Sequence, residues 1–223
     1  MSQKVWPTSM DENSTLMEKY LRDILFTLVS SLIKVKSSAH ASIFVLNNLS
    51  ILRRELVEAC DPVSLDPSKS DSPSNRDIGD LLGEPAEDEL NRAFRSARIS
   101  YLDTVWKPAL VALTSDELST TSQGPHVPAA LGGTAEKRQL VKDKFTRFNE
   151  SFDKAERLHI KHPIGKRDKT LQVRLSKEAK AMLLPPYATL WGKNQSGDFA
   201  KTPSKYMRIS PDELESRIDG LFI

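Results

Sequence analysis

Along the first quarter of the chain, apolar residues return at helical rather than strand spacing. Met17, Leu21, Ile24, Leu28, Leu32 and Val35 advance by fours and threes, which places them on one stripe of an α-helix. Residues from about Ala39 to Ala59 continue with Val45, Leu49, Leu52 and Leu56, and add Ile43, Phe44, Leu46 and Ile51 around the cylinder. Apolar side chains over so much of the circumference predict a helix buried among neighbours.

The pattern then stops. From Asp61 to Asn75, eight of fifteen residues are Pro or Ser and no period survives, so a loop is predicted there. A third helical segment starts near Ala86, with Leu90, Phe94, Ala97, Tyr101 and Val105 on one stripe and a kink expected at Pro108, which lacks an N–H. A second loop, Ser119 to Thr134, holds Pro125, Pro128 and the pair Gly132–Gly133. The clearest helix follows, with Val141, Phe145, Phe148, Phe152 and Ala155 advancing by four, three, four and three before Pro163 and Gly165 end it. Leu171, Leu175, Ala179 and Met182 mark another helix, which meets Pro185–Pro186 and resumes through Tyr187, Leu190 and Trp191. The last helix carries its own start signal: Ser210 as cap, Pro211 at the first position and Glu213 three residues past the serine.

No stretch alternates with period two and no hairpin turn pair occurs, so the fold class expected is all-α. A helix of about 25 residues is ~37 Å long, and such helices packed antiparallel give an elongated bundle or rod segment. The expected organisation is a helical pair at 1–60, a Pro/Ser-rich loop at 61–85, a long helix at 86–118, a loop at 119–134 and a C-terminal helical region at 135–223, all one continuous rod fragment.

Charge sharpens this division. The chain has 223 residues and a formal net charge of +2, yet residues 1–135 hold 13 Lys+Arg against 18 Asp+Glu (net −5), and residues 136–223 hold 19 against 12 (net +7). A basic half suits a phosphate-bearing partner, while a total near zero argues against a dedicated nucleic-acid protein. The single Cys60 excludes a disulfide framework and a multi-thiolate zinc site. The longest uncharged apolar stretch, Ile24 to Ile33, is ten residues, against the ~20 a spanning helix needs. With no basic-then-apolar leader at Met1, a cytoplasmic chain is expected.

Catalytic constellations are missing. Gly165–Lys166 matches the end of a phosphate-binding loop, but the upstream glycine and strand are not there. Gly132–Gly133 reads as a turn. His159 and His162 are three apart with no Cys nearby to complete a zinc set, so a helix-end role is expected rather than a metal. Cys60 reads as a structural thiol. Asn47–Asn48 lie inside an apolar helix, where buried amides need partners: a polar network fixing helix register is the first reading, a partner contact the second. No enzyme, cofactor or metal is expected.

Several segments carry a family resemblance. Ala41-Ser42-Ile43-Phe44-Val45-Leu46-Asn47-Asn48-Leu49 resembles the aliphatic–Phe–Leu–Asn–Asn helix of the seventy-kilodalton exocyst subunit family. Lys144-Phe145-Thr146-Arg147-Phe148-Asn149-Glu150-Ser151-Phe152 is similar to its Lys-Phe-x-x-Phe-Asn-x-x-Phe segment. The end of the chain, from Thr202-Pro203-Ser204-Lys205-Tyr206-Met207-Arg208-Ile209 through Ser210-Pro211-Asp212-Glu213-Leu214-Glu215 to Leu221-Phe222, resembles its terminal Lys-Tyr-x-Lys-Tyr, Ser-Pro, acidic helix and Leu-Phe. Tyr187 after a proline also fits. Arg208 and Ile209 replace the commoner Lys and Tyr, and Leu158 to Arg167 is basic where many members have an aromatic, a proline and an acid.

The resemblance implies a helical rod of a multisubunit tethering complex, without catalysis. It further implies exocytosis, with vesicles tethered at the plasma membrane, binding to phosphatidylinositol 4,5-bisphosphate on the inner face of that membrane, and contacts with other exocyst subunits and a Rho-type small GTPase. Lys205 and Arg208 take the place of the family's terminal basic pair, and Lys201, Lys166, Arg167 and Arg174 complete the expected lipid-binding set. The residues themselves add a basic face of Arg167, Arg174, Lys177 and Lys180 opposite the Leu171–Met182 stripe; near an anionic leaflet each such charge contributes on the order of 1 kcal/mol. The alternative is a protein-interaction module that docks the GTPase or another member of the complex without touching lipid.

Overall fold

The structure, a computed structural model, describes residues 10–35, 38–56, 76–115, 135–166 and 168–223. Cys60, the loop from Asp61 to Asn75, Gly132–Gly133 with the rest of the second predicted loop, and Arg167 lie outside them. The described residues form helices α1 (Met10–Ile33), α2 (Ala39–Leu56), α3 (Arg76–Tyr101), α4 (Lys107–Thr114), α5 (Ala135–Lys161), α6 (Lys169–Lys193) and α7 (Pro211–Gly220), with no strand among them. The all-α expectation is met. The helix expected from Ala86 begins at Arg76 and runs through Pro85.

The chain divides into two compact units: Met1–Ser37 with Phe44–Ile99, and Ser38–Ile43 with Ser100–Ile223. In the first, the α3 stripe is buried as its spacing predicts, through Leu90, Phe94 and Ala97. Arg53 of α2 lays its guanidinium 5.3 Å from the Phe94 ring and donates Nε–H to Asn91 Oδ1 at 2.8 Å. In α1 the buried side chains are Leu25, Val29 and Leu32, whereas Met17, Ile24, Leu28 and Val35 of the predicted stripe are exposed. The apolar arc of α1 is wider than the face its unit covers, so spacing locates the arc but not the seam within it. In α2, likewise, Leu46 and Leu49 are buried while Phe44 and Ile51 remain about half exposed, so this helix is not enclosed on all sides. Asn48 donates Nδ2–H to the Phe44 carbonyl of its own helix at 2.8 Å, a local satisfaction of the amide.

The second unit is built on the aromatic face of α5. Phe145, Phe148, Phe152 and Ala155 are buried in the predicted register, and α4 packs across α5 and α6. Phe148 lies 4.5 Å from the Tyr187 ring and 5.8 Å from Phe152, and Phe145 stacks on Phe199 at 5.9 Å. Between α3 and α4 the chain widens into one π-helical turn, Leu102–Trp106, where the Lys107 N–H reaches back to the Leu102 carbonyl. Pro108, the expected kink point, follows at once in the first turn of α4, where its missing N–H costs nothing. The extra residue of the turn aims Trp106 inward. Its Nε1–H donates to the Tyr101 hydroxyl at 2.7 Å, and that hydroxyl lies 2.7 Å from His159 Nε2. His159 Nδ1 is 2.7 Å from the Ala155 carbonyl, which can only accept, so Nδ1 carries the proton and Nε2 accepts from Tyr101. His159, in the last turn of α5 as expected, is thus buried in the core rather than presented to solvent.

α6 starts on Asp168, whose Oδ1 accepts from the Leu171 amide at 2.8 Å, after a turn in which Gly165 has φ +59°. It continues through Pro185–Pro186 without the predicted interruption, and buries Leu171, Leu175, Ala179 and Leu183. Four-residue steps carry its buried row to Leu183, so the predicted Met182 is only half-buried. α7 begins as its sequence signal predicts: Ser210 Oγ accepts from the Glu213 amide at 3.2 Å. It docks on α6 through Asp219, which accepts from Ser176 Oγ at 2.5 Å and Lys180 Nζ at 2.8 Å. On its other side Arg217 grips Glu156 of α5 with two donors and covers the Phe152 ring at 5.3 Å.

These contacts set how stability responds to pH and to substitution. Burial holds the His159 imidazole below its ordinary 6.5, with the Ala155 bond acting the other way. The unfolded chain therefore takes up this proton first as pH falls, so the contribution is present above pH 6.5 and lost below it. The melting temperature followed by circular dichroism is expected to drop from pH 7 to pH 5, and His159→Phe to flatten that slope; an unflattened slope assigns it to other groups. Arg217→Met, which leaves a largely buried Glu156 without its charge-assisted pair, is expected to cost about 1–3 kcal/mol in urea unfolding. Lys180→Met, opposite a half-exposed Asp219, is expected to cost below about 1 kcal/mol.

Candidate functional site

The segment between α6 and α7 carries three of the predicted lipid-binding residues. A 3-10 turn, Pro203–Lys205, presents Lys205, and the chain then crosses back over α5 and α6 toward Ser210. Three contacts hold that return. Asn149 donates Nδ2–H to the Tyr206 carbonyl at 2.8 Å, the buried Tyr187 hydroxyl donates to the Ile209 carbonyl at 2.5 Å, and Ile209 itself is buried. Burial pushes the Tyr187 hydroxyl well above the ordinary phenol range, so it stays a donor. Ile209 serves as an apolar anchor for the segment.

Lys201, Lys205 and Arg208 are all exposed. Arg208 is not a free cation: its Nη1 lies 3.1 Å from Asp153 Oδ2 of α5, which neutralises part of its charge. Lys201 and Lys205 make no ion pair among the described residues. The segment therefore offers two unneutralised lysines and one arginine shared with an internal carboxylate, on a backbone pinned at Tyr206 and Ile209.

The other predicted residues lie elsewhere. Lys166 is exposed in the α5–α6 turn. Arg174 pairs with Glu178 at 3.3 Å on α6. Along α6 the rise from Arg174 to Tyr187, where the Ile209 carbonyl is bonded, is ~20 Å, so Arg174 lies well along the helix from the point where the terminal segment is pinned. The basic face expected on this helix is reduced further, because Lys180 is taken up by Asp219 and Glu215 of α7, and the Asp219 bond raises its pKa.

Two hollows in the second unit have no signature in the sequence. One, about 840 Å³, lies between the start of α5 and the end of α6, with Leu140, Val141, Pro186 and Leu190 in its wall and Lys137 and Lys193 at its edge. The other, about 550 Å³, lies beside the π-helical turn along α5, against Lys154, Arg157 and Lys161. The spacing of those three cations is visible in the sequence; the hollow is not, since it needs the turn at Thr104–Pro108 opposite them. Among the described residues no group of His, Cys, Asp or Glu is placed to hold a metal ion, and no helix is long and apolar enough to cross a membrane.

Comparison with known proteins agrees with this architecture. The family model for the C-terminal part of the Exo70 protein of the exocyst complex matches residues 2–220. Exocyst complex component EXO70B1 of Arabidopsis thaliana is 27% identical over 147 residues, 66% of this chain and 21% of the relative. The exocyst complex protein EXO70 of Yarrowia lipolytica is 25% identical over 186 residues (83% and 26%), and exocyst complex component 7 of Drosophila melanogaster 23% over 217 (95% and 28%). The chain thus spans about a quarter of the length of these relatives. A family match over nearly every residue, on a helical fold whose terminal segment is anchored as described, establishes that the chain belongs to the Exo70 exocyst family and corresponds to its C-terminal region.

Proposed function

We propose that this chain acts in exocytosis as the membrane-facing end of an exocyst tether, holding secretory vesicles at the inner face of the plasma membrane by binding phosphatidylinositol 4,5-bisphosphate. The observation that carries the reading is the terminal segment: Lys201 and Lys205 stand exposed on backbone fixed by Asn149 and Tyr187, within a half of the chain that carries +7. Fixed cations lose little freedom on meeting a phosphate, so their attraction is not spent on ordering the segment. Arg208 joins the site by exchanging the Asp153 carboxylate for a lipid phosphate. No catalytic step is involved, and the rest of the helical bundle positions these charges and contacts other exocyst subunits.

A second reading has its own observation. In the first unit Met17, Tyr20, Ile24 and Leu28 are exposed at successive turns of α1, and exposed apolar stripes of this kind mark protein contacts. A Rho-type GTPase or another exocyst protein seated on α1 would make the chain a docking module.

Co-sedimentation with vesicles separates the two. Binding is expected with phosphatidylinositol 4,5-bisphosphate present, to fall steeply between 0.1 M and 1 M salt as the Debye length shrinks from ~10 Å to ~3 Å, and to weaken by roughly fivefold or more in Lys205→Ala/Arg208→Ala. Asp153→Ala, which releases Arg208, is expected to strengthen it. Vesicle binding that ignores all three substitutions removes the segment from the site. Capture of an activated Rho-type GTPase with no vesicle affinity supports the docking reading, and Ile24→Glu/Leu28→Glu is then expected to abolish it.

A further inference from the structure

The hollow beside the π-helical turn differs from the terminal segment in place and in chemistry. Its apolar lining is made by the buried Val105 and Ala155 together with the half-buried Leu158 and the exposed Pro108. Its rim is cationic, made by Lys154, Arg157 and Lys161 on successive turns of α5, and no Asp or Glu lines it. All three rim side chains are exposed and make no ion pair among the described residues. Of the nearby carboxylates of α5, Asp153 is committed to Arg208 and Glu156 to Arg217, which leaves the exposed Glu150, one turn before Lys154, as the one acid beside three cations. At the far end the His40 ring of the wall lies 4.1 Å from the His162 ring, and desolvation, His40 and Lys161 together hold His162 below its ordinary range.

We propose that this hollow binds an acidic peptide segment of a partner protein, one that seats an apolar side chain on the floor and sets carboxylates against the rim. Two features of the geometry select that ligand. The hollow is recessed, with Val105 and Ala155 almost closed from water at its base and Lys154, Arg157 and Lys161 exposed at its edge, so a flat bilayer resting on the cations would not enter it. The cations extend ~10 Å along α5 from Lys154 to Lys161, the span of about three residues of extended peptide, so acids on either side of one apolar anchor meet both ends of the row. The volume of about 550 Å³ takes a few side chains rather than a folded surface. The site is independent of the lipid reading, because none of its residues contacts the segment from Lys201 to Ile209 among the contacts described above.

The test uses the chain itself and a fluorescein-labelled nonapeptide of Asp and Glu around one Phe and one Leu, followed by anisotropy. The controls are the same peptide with both apolar residues changed to Ser, the peptide with Asn and Gln for its acids, and vesicles of phosphatidylcholine with phosphatidylserine. Binding is expected for the first peptide alone, with roughly tenfold weakening or more in Arg157→Glu/Lys161→Glu, a charge reversal at exposed positions. The milder Lys154→Gln/Lys161→Gln is expected to weaken it less while leaving the helical circular dichroism and melting temperature unchanged, which covers the case of a misfolded charge-reversal variant. Co-sedimentation through Lys205 and Arg208 is expected to be unaffected by either. The proposal is overturned if the acidic apolar peptide binds no better than its neutral control, if Lys154→Gln/Lys161→Gln leaves its affinity unchanged, or if these substitutions abolish vesicle binding instead.

Discussion

One buried chain of donors organises the second unit: Trp106 Nε1–H to the Tyr101 hydroxyl, that hydroxyl to His159 Nε2, and His159 Nδ1–H to the Ala155 carbonyl. Each link fixes the direction of the next, and Tyr101 and Trp106 are fully buried, so a missing partner has no water to replace it. The chain ties the end of α3 and the π-helical turn to α5, and it is why the turn must be widened: an ordinary α-helical turn would rotate Trp106 off the Tyr101 hydroxyl. With the turn set, α4 lies across α5 and α6, and the aromatic face of α5 closes over Tyr187 and Phe199. Tyr187 then carries the constraint outward, since its hydroxyl holds the Ile209 carbonyl and so fixes where the terminal cations stand.

The same logic separates the two candidate surfaces. α5 uses one side for Asn149, Asp153 and Glu156, which grip the terminal segment and α7, and the other for Lys154, Arg157 and Lys161. Internal carboxylates sit on the first side, where Asp153 tempers Arg208, while on the second side Lys154, Arg157 and Lys161 outnumber their one neighbouring acid, Glu150. A net charge read over the whole half cannot distinguish these cases; the pairing of each charge decides what remains for a partner.

What is legible in the sequence is local. The α5 register, the Ser210 cap and the α3 stripe depend on residues within one or two turns, and the structure reproduces them. The α1 stripe depends on which side of a wide apolar arc its unit covers, and spacing has no access to that. The sequence places His159 at a helix end, where it is, but hides its burial, because its partner Tyr101 lies far off in the chain. The expected lipid-binding set spans the α5–α6 turn, α6 and the terminal segment, because charge counted along a sequence carries no distance. The commitments of Lys180 to Asp219 and of Arg208 to Asp153 are tertiary facts of the same kind.

Phe222 is buried at the far end of α7, with its ring 6.4 Å from Trp106 and 5.4 Å from His159. The indole that begins the hydrogen-bond chain is therefore in ring contact with the residue just past the helix that follows from the cationic segment. Strain or release at Lys205–Arg208 has only Ser210 and the rigid body of α7 to cross before it alters the packing around Trp106. With Trp6 and Trp191 replaced, the emission of this deeply shielded indole becomes an optical gauge of whether the terminal helix is seated.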